Sequence, residues 1–143
     1  MIKINEDAPV IARSKIEINA EPERVWNLLS DINNWSKWNP DIETTSLKGN
    51  LEKGTGFRWK TSSGTITSTL QLVDPPEILA WTGKIMSIKA IHIYQLESEN
   101  SETLVKTEES WEGLLARILR GTLQKQLQKS IDAGLQYLKT AAE

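Results

Sequence analysis

From Leu114 to Ala142 the chain contains no proline, and its apolar side chains recur at i, i+3 and i+4 with charged and amide residues between them. That spacing predicts a single long helix over the closing stretch from Gly113 to Glu143. At ~1.5 Å of rise per residue it would extend about 43 Å, more than a domain of this size requires unless the remaining chain wraps around it. The series Leu115, Leu119, Leu123, Leu127, Ile131 and Leu135 advances in steps of four. Four residues turn ~400°, so the apolar stripe drifts by roughly 40° at each step, and Arg117, Arg120, Lys125 and Lys129 drift with it on the opposite side. A flat partner cannot follow such a stripe. A curved sheet gripping the helix can, and an enclosed pocket between the two is expected.

The preceding chain supplies the strands. Val10 to Ile18 alternates, with Ala12, Ser14, Ile16 and Ile18 on one face and Arg13, Lys15 and Glu17 mainly on the other, the period of a half-buried strand. Asn19 to Glu21 break it, Pro22 suits the first position of a helix, and Val25, Leu28, Leu29 and Ile32 follow at helical spacing. Asp31 can cap a second short turn that carries Trp35 and Trp38 on one side before Asn39 and Pro40 end it. From Ile42 to Trp111 the period is two, punctuated by Gly49-Asn50, Ser62 to Gly64, Asp74-Pro75-Pro76 and Ser98 to Ser101.

Six further strands follow as an antiparallel meander, near 42–48, 54–61, 65–73, 77–85, 88–97 and 103–111. The expected fold class is α+β: a seven-stranded curved antiparallel sheet wrapped around a long C-terminal helix, in the order β-α-α-β-β-β-β-β-β-α. Alternation turns toward the helix Phe57 and Trp59; Ile66, Ser68 and Leu70; Leu79 and Trp81; Ile88, Ala90, His92, Tyr94 and Leu96; and Val105, Thr107, Glu109 and Trp111. Ile91 and Ile93 make the other face of their strand partly apolar as well.

A length of 143 residues suits one domain spanning 1–143. Without cysteine there is no disulfide framework, thiolate nucleophile or cysteine metal site. The opening MIKINEDAPV lacks a basic segment followed by an apolar run, and no apolar stretch is long enough to span a bilayer, so a cytoplasmic protein without stable membrane insertion is expected. A net charge of −2 and a pI near 5.6 argue against a nucleic-acid partner. Six tryptophans against one phenylalanine point to aromatic surfaces beyond ordinary core filling.

The run Ile18-Asn19-Ala20-Glu21-Pro22-Glu23-Arg24-Val25-Trp26, followed by Asp31, Trp35, Trp38, Asn39 and Pro40, resembles the opening of the START-like (SRPBCC) superfamily, above all its bacterial polyketide cyclase/dehydrase branch. Gly54 to Trp59, Asp74-Pro75-Pro76, Leu79 to Trp81, His92 with Leu96, Thr103 to Val105, and Glu109 to Gly113 agree with that pattern in order. The resemblance spans nearly the whole chain and implies the helix-grip fold. The superfamily includes lipid carriers, hormone and pigment binders, polyketide cyclases and chaperone activators, so fold alone does not choose among them. Three functions are implied: holding a small hydrophobic molecule between sheet and helix; cyclase, aromatase or dehydratase chemistry on a polyketide-like substrate; and a protein-interaction module.

His92 is the only histidine, so a general acid or base with an ordinary pKa near neutrality must be this residue. Tyr94 lies on the same face and Glu109 on the adjacent strand. The three are candidate proton-transfer groups; equally, His92 can be bonded to a neighbouring strand or simply orient a ligand. For the pocket the aromatic set is Trp38, Phe57, Trp59, Trp81, Tyr94 and Trp111, suited to a flat or polycyclic ligand. Ile66, Ser68, Leu70, His92, Thr107 and Glu109 complete its sheet side, and Leu115, Leu119 and Leu123 its helix side.

Gly54-x-Gly56 lacks the lysine, serine and third glycine of a phosphate loop and reads as a turn. No metal-binding spacing and no Gly-x-Ser-x-Gly elbow occurs, so neither metal nor cofactor is expected, nor a hydrolase triad. The basic final helix reads as a solvated face, with anionic lipid or an acidic partner as the alternative. Of the two helix glycines, Gly121 is expected to mark a close approach ahead of Gly134.

Overall fold

In the computed structural model, which describes residues 1–143, the first alternating segment forms β1 (Val10–Ile18). Pro22 opens α1 (Pro22–Ser30) at the position where its missing N–H costs nothing. A 3-10 helix (Ile32–Lys37) follows. The meander comprises β2 (Ile42–Leu47), β3 (Gly56–Thr61), β4 (Gly64–Asp74), β5 (Ile78–Ile85), β6 (Ile88–Glu99) and β7 (Glu102–Glu112). These strands make one seven-stranded sheet in the order β1-β7-β6-β5-β4-β3-β2, every pair antiparallel.

Directly opposed residues share a face of a sheet, so the register shows what points inward. Ala12 faces Glu109, Glu109 faces His92, His92 faces Trp81 and Trp81 faces Leu70, a row that crosses five strands. The alternation in the sequence assigned this concave face to the helix side, and the burial of Phe57, Ser68, Leu70, Trp81, His92, Tyr94, Thr107 and Glu109 agrees.

The closing helix is not continuous. It divides at Leu119 into α2 (Leu114–Ile118) and α3 (Arg120–Ala142). The cause lies at its start. Gly113 has φ of 116°, and a Cβ there would fall 1.9 Å from the Ser87 carbonyl oxygen, so only glycine lets the chain leave β7 so close to the β5–β6 turn. The Ser87 hydroxyl then accepts the Leu115 N–H at 3.2 Å. Pinned in this way, α2 seals one end of the sheet with Ala116 fully buried, while α3 runs along β1 and α1. The break turns Leu119 outward: it is 43% exposed, whereas Leu123, Leu127, Ile131, Leu135 and Leu138 are buried. No helix is long and apolar enough to cross a membrane.

The apolar outer face of β6 also has a partner. Ile4, in the segment before β1, is buried against Ala80 and Ile93, with Ile2, Ile11, Leu72, Ile78 and Ile91 around them. Asn5 ties this arm down, its backbone N–H donating to Ser110 Oγ at 3.0 Å and its side-chain amide to Glu112 Oε2 at 2.6 Å.

Candidate functional site

The inward side chains between sheet and α3 fall into two separate apolar clusters. The larger joins α1 and the 3-10 helix to the β2–β6 side and the end of α3, and includes Val25, Trp35, Phe57, Leu70, Trp81, Tyr94, Leu135 and Leu138. The smaller gathers Val10, Ala12, Ile88, Ala116, Leu123, Leu127 and Ile131, with Trp111 and Leu115 against it. The same concave face also buries the polar residues Ser68, His92, Thr107 and Glu109.

His92 is the centre of this polar set. Its ring lies 4.7 Å from that of Trp81 and is stacked 4.8 Å from that of Tyr94. The Thr107 hydroxyl donates to the Ile93 carbonyl at 3.1 Å. With that proton committed, His92 Nε2, 2.9 Å from the same oxygen, is the donor of their bond. Nδ1 lies 3.0 Å from Glu109 Oε1, the separation of an ion pair, yet the ring geometry gives it no aligned hydrogen bond. The carboxylate therefore sits beside the ring, and Nδ1 is buried without a hydrogen-bond partner. Glu109 is held from its other oxygen, which accepts the Trp111 indole N–H at 2.7 Å.

Burial pushes the Tyr94 hydroxyl well above a tyrosine's ordinary pKa; the Glu109 charge adds to the shift and bonding with Thr107 opposes it. The phenol therefore remains a proton donor. Together these groups supply an imidazole beside a carboxylate, a protonated phenol and flanking aromatic faces. No three His, Cys, Asp or Glu side chains converge to hold a metal.

The aromatic residues pack on one another. Trp35 meets Phe57 and Trp59 edge-on at 5.6 and 5.7 Å and Trp81 at 5.3 Å, while Trp59 donates to Ser68 Oγ at 3.1 Å. These rings touch one another within the region where the sequence predicts a pocket. Two depressions of about 390 and 300 Å³ lie elsewhere. One includes Arg13, Lys15, Gln95 and Lys106 from the convex side, and the other Pro22, Pro76 and Glu77 at an end of the sheet.

Of the residues singled out from the sequence, Phe57, Leu70, Trp81 and Tyr94 join the larger cluster, and Trp38 and Trp59 are half-buried at its margin. Ile66 is half-buried on β4. Trp111, Leu115 and Leu123 belong to the smaller cluster. Leu119 does not belong to the site, because the helix break faces it to solvent. Trp35 was missed, although its spacing from Trp38 was visible; in a 3-10 helix residues three apart eclipse, which brings both toward the same side. Neither helix glycine marks a close approach: Gly121 has open space around it, and a Cβ at Gly134 would make only ordinary contacts, 3.9 Å from the Asn39 amide nitrogen and 4.0 Å from the Tyr94 hydroxyl.

A family model described as polyketide cyclase / dehydrase and lipid transport matches residues 9–143. No curated protein matches the sequence. Among solved structures the chain is similar to a hypothetical protein of Helicobacter pylori, with a TM-score of 0.85 at 16% identity over 100% of this chain and 98% of that one. It is also similar to the Zhui aromatase/cyclase of Streptomyces sp. R1128, with a TM-score of 0.80 at 14% identity over 92% of each chain. A START superfamily protein of Mycobacterium smegmatis gives 0.77 at 13% identity over 92% of this chain and 96% of that one. Identities this low speak for a shared fold.

Proposed function

The chain belongs to the polyketide cyclase / dehydrase and lipid transport family, and from that premise we propose that it binds one small hydrophobic molecule, aromatic, polyketide-like or lipid-like, between the concave sheet face and α3. The observation that carries this reading is the set of buried polar side chains, Ser68, His92, Thr107 and Glu109, set among the apolar residues of the concave face. Polar groups cost free energy to bury unless they are satisfied, and His92 Nδ1 and Trp38 Nε1 are buried without a hydrogen-bond partner. A ligand carbonyl or hydroxyl oxygen would accept from Trp38 Nε1, and a ligand hydroxyl would donate to His92 Nδ1. The half-buried rings of Trp38 and Trp59 at the cluster's margin are the ones that turn aside to admit it.

Titration with aromatic and fatty molecules, followed by tryptophan emission and Tm, tests the reading. A true ligand at a hundredfold excess over Kd stabilises by ~2.7 kcal/mol. His92→Gln retains bonding capacity and is expected to change affinity by no more than ~0.5–1.5 kcal/mol. A broad set of compounds that alters neither emission nor Tm would count against binding.

The contact among His92, Tyr94 and Glu109 supports a second reading, a cyclase, aromatase or dehydratase. There the Tyr94 phenol donates to a substrate carbonyl, His92 removes a proton beside that carbonyl, and Glu109 stabilises the imidazolium. In that case His92→Gln lowers turnover by about 10²- to 10⁴-fold with affinity largely intact. A competent substrate that is bound and never converted leaves the carrier reading in place.

A further inference from the structure

We propose that the end of the molecule built from the β5–β6 turn and α2 docks on an anionic lipid surface. The proposal is independent of what the interior holds. Apart from Met1, the large apolar residues left exposed are Met86 at 81%, Leu114 and Ile118 at 67% each, and Leu119 at 43%. All four belong to two segments in direct contact, since Gly113 packs on the Ser87 backbone and the Leu115 N–H is bound by the Ser87 hydroxyl. Local structure gives no reason for Met86, which occupies the turn at φ of 54°, where glycine or asparagine is less strained. An apolar side chain thus stands at the tip of a hairpin where neither packing nor backbone conformation asks for one.

The fully exposed charges at this tip are positive; the neighbouring carboxylate, Glu112 opposite Lys89, is half-buried and bonded to the Asn5 amide. Lys84 and Lys89 face each other across the hairpin, a pairing that costs stability in the isolated protein. Arg117 and Arg120 flank Ile118 and Leu119, and neither segment contains an acidic residue, although the whole chain carries a net charge of −2. All four cations are exposed, and none takes part in any of the five ion pairs.

A second copy meeting this end tip to tip would set cation against cation. Aliphatic side chains that project beside cations match a bilayer surface, where the cations meet anionic headgroups and the apolar tips enter below them. Docking there would also place α2, the seal over one end of the sheet, against the lipid.

The test is co-sedimentation with vesicles of phosphatidylcholine alone and of equal parts phosphatidylcholine and phosphatidylglycerol. Wild type is compared with Arg117→Gln/Arg120→Gln and with Met86→Ser/Ile118→Ser. Binding is expected to the anionic vesicles only and to fall with added salt, and each double variant is expected to weaken it at least about tenfold without lowering Tm. Absence of binding, or equal binding to neutral vesicles, overturns the proposal. So does undiminished binding by Met86→Ser/Ile118→Ser, which would reduce the effect to charge alone. Capture by polyglutamate that is as strong as capture by anionic vesicles, and insensitive to the Met86 and Ile118 changes, assigns the surface to an acidic polypeptide instead.

Discussion

The Tyr94 phenol is buried beside a carboxylate, and its raised pKa couples the site to stability. Above pH 10, a tyrosine's ordinary value, the native state keeps this proton while the unfolded chain loses it. The unfolded state then binds fewer protons, so stability falls as pH climbs past that value, at up to about 1.4 kcal/mol per pH unit. Tyr94→Phe is expected to remove that share of the loss, as read by urea unfolding at about pH 9 and about pH 11. Two glycines give opposite signs. Gly113→Ala places a Cβ against the Ser87 carbonyl and is expected to cost at least about 3 kcal/mol. Gly121→Ala enters open helical space and is expected to gain up to ~1 kcal/mol. At this scale the sequence showed that His92, Tyr94 and Glu109 face inward, because alternation runs through β6 and β7 without a register shift. It did not show that Trp35 fills the space beside them, since the reach of a side chain from a neighbouring helix is set by docking, not by spacing.

Among the elements, the broken helix departs most from its sequence pattern. Leu119 continues the step-of-four series, yet the contact of Gly113 and Leu115 with Ser87 fixes α2 in its own direction and the series loses a member. A long-range contact made that change, and periodicity carries no trace of it. Leu127→Ala is expected to cost about 2–5 kcal/mol and Leu119→Ala less than ~0.5 kcal/mol, measured by chemical denaturation. Equal losses would mean that Leu119 is buried after all. The N-terminal arm shows the converse. Ile91 and Ile93 made the convex face of β6 ambiguous, and Ile4 resolves it by covering that face from a segment with no strand pattern of its own.

Across the whole molecule, the seven-stranded order and the helix held by the sheet follow from the alternating strands and the drifting stripe, which left few ways to bury both. The interior is less regular: two apolar clusters, a set of buried polar side chains on the concave face, and an edge-on aromatic packing within the region where a pocket was expected. The central claim is that this interior, and not the convex depression near Arg13 and Lys106, receives a hydrophobic ligand. The most direct measurement is an NMR titration that follows the six indole N–H resonances and the backbone amides with an aromatic or fatty compound. The expected result is saturable shifts of the Trp38, Trp59 and Trp81 indoles together with the His92 and Tyr94 amides, at one common Kd. Shifts confined to Lys15, Gln95 and Lys106 on the convex face, with those indoles unmoved at saturation, would contradict the account.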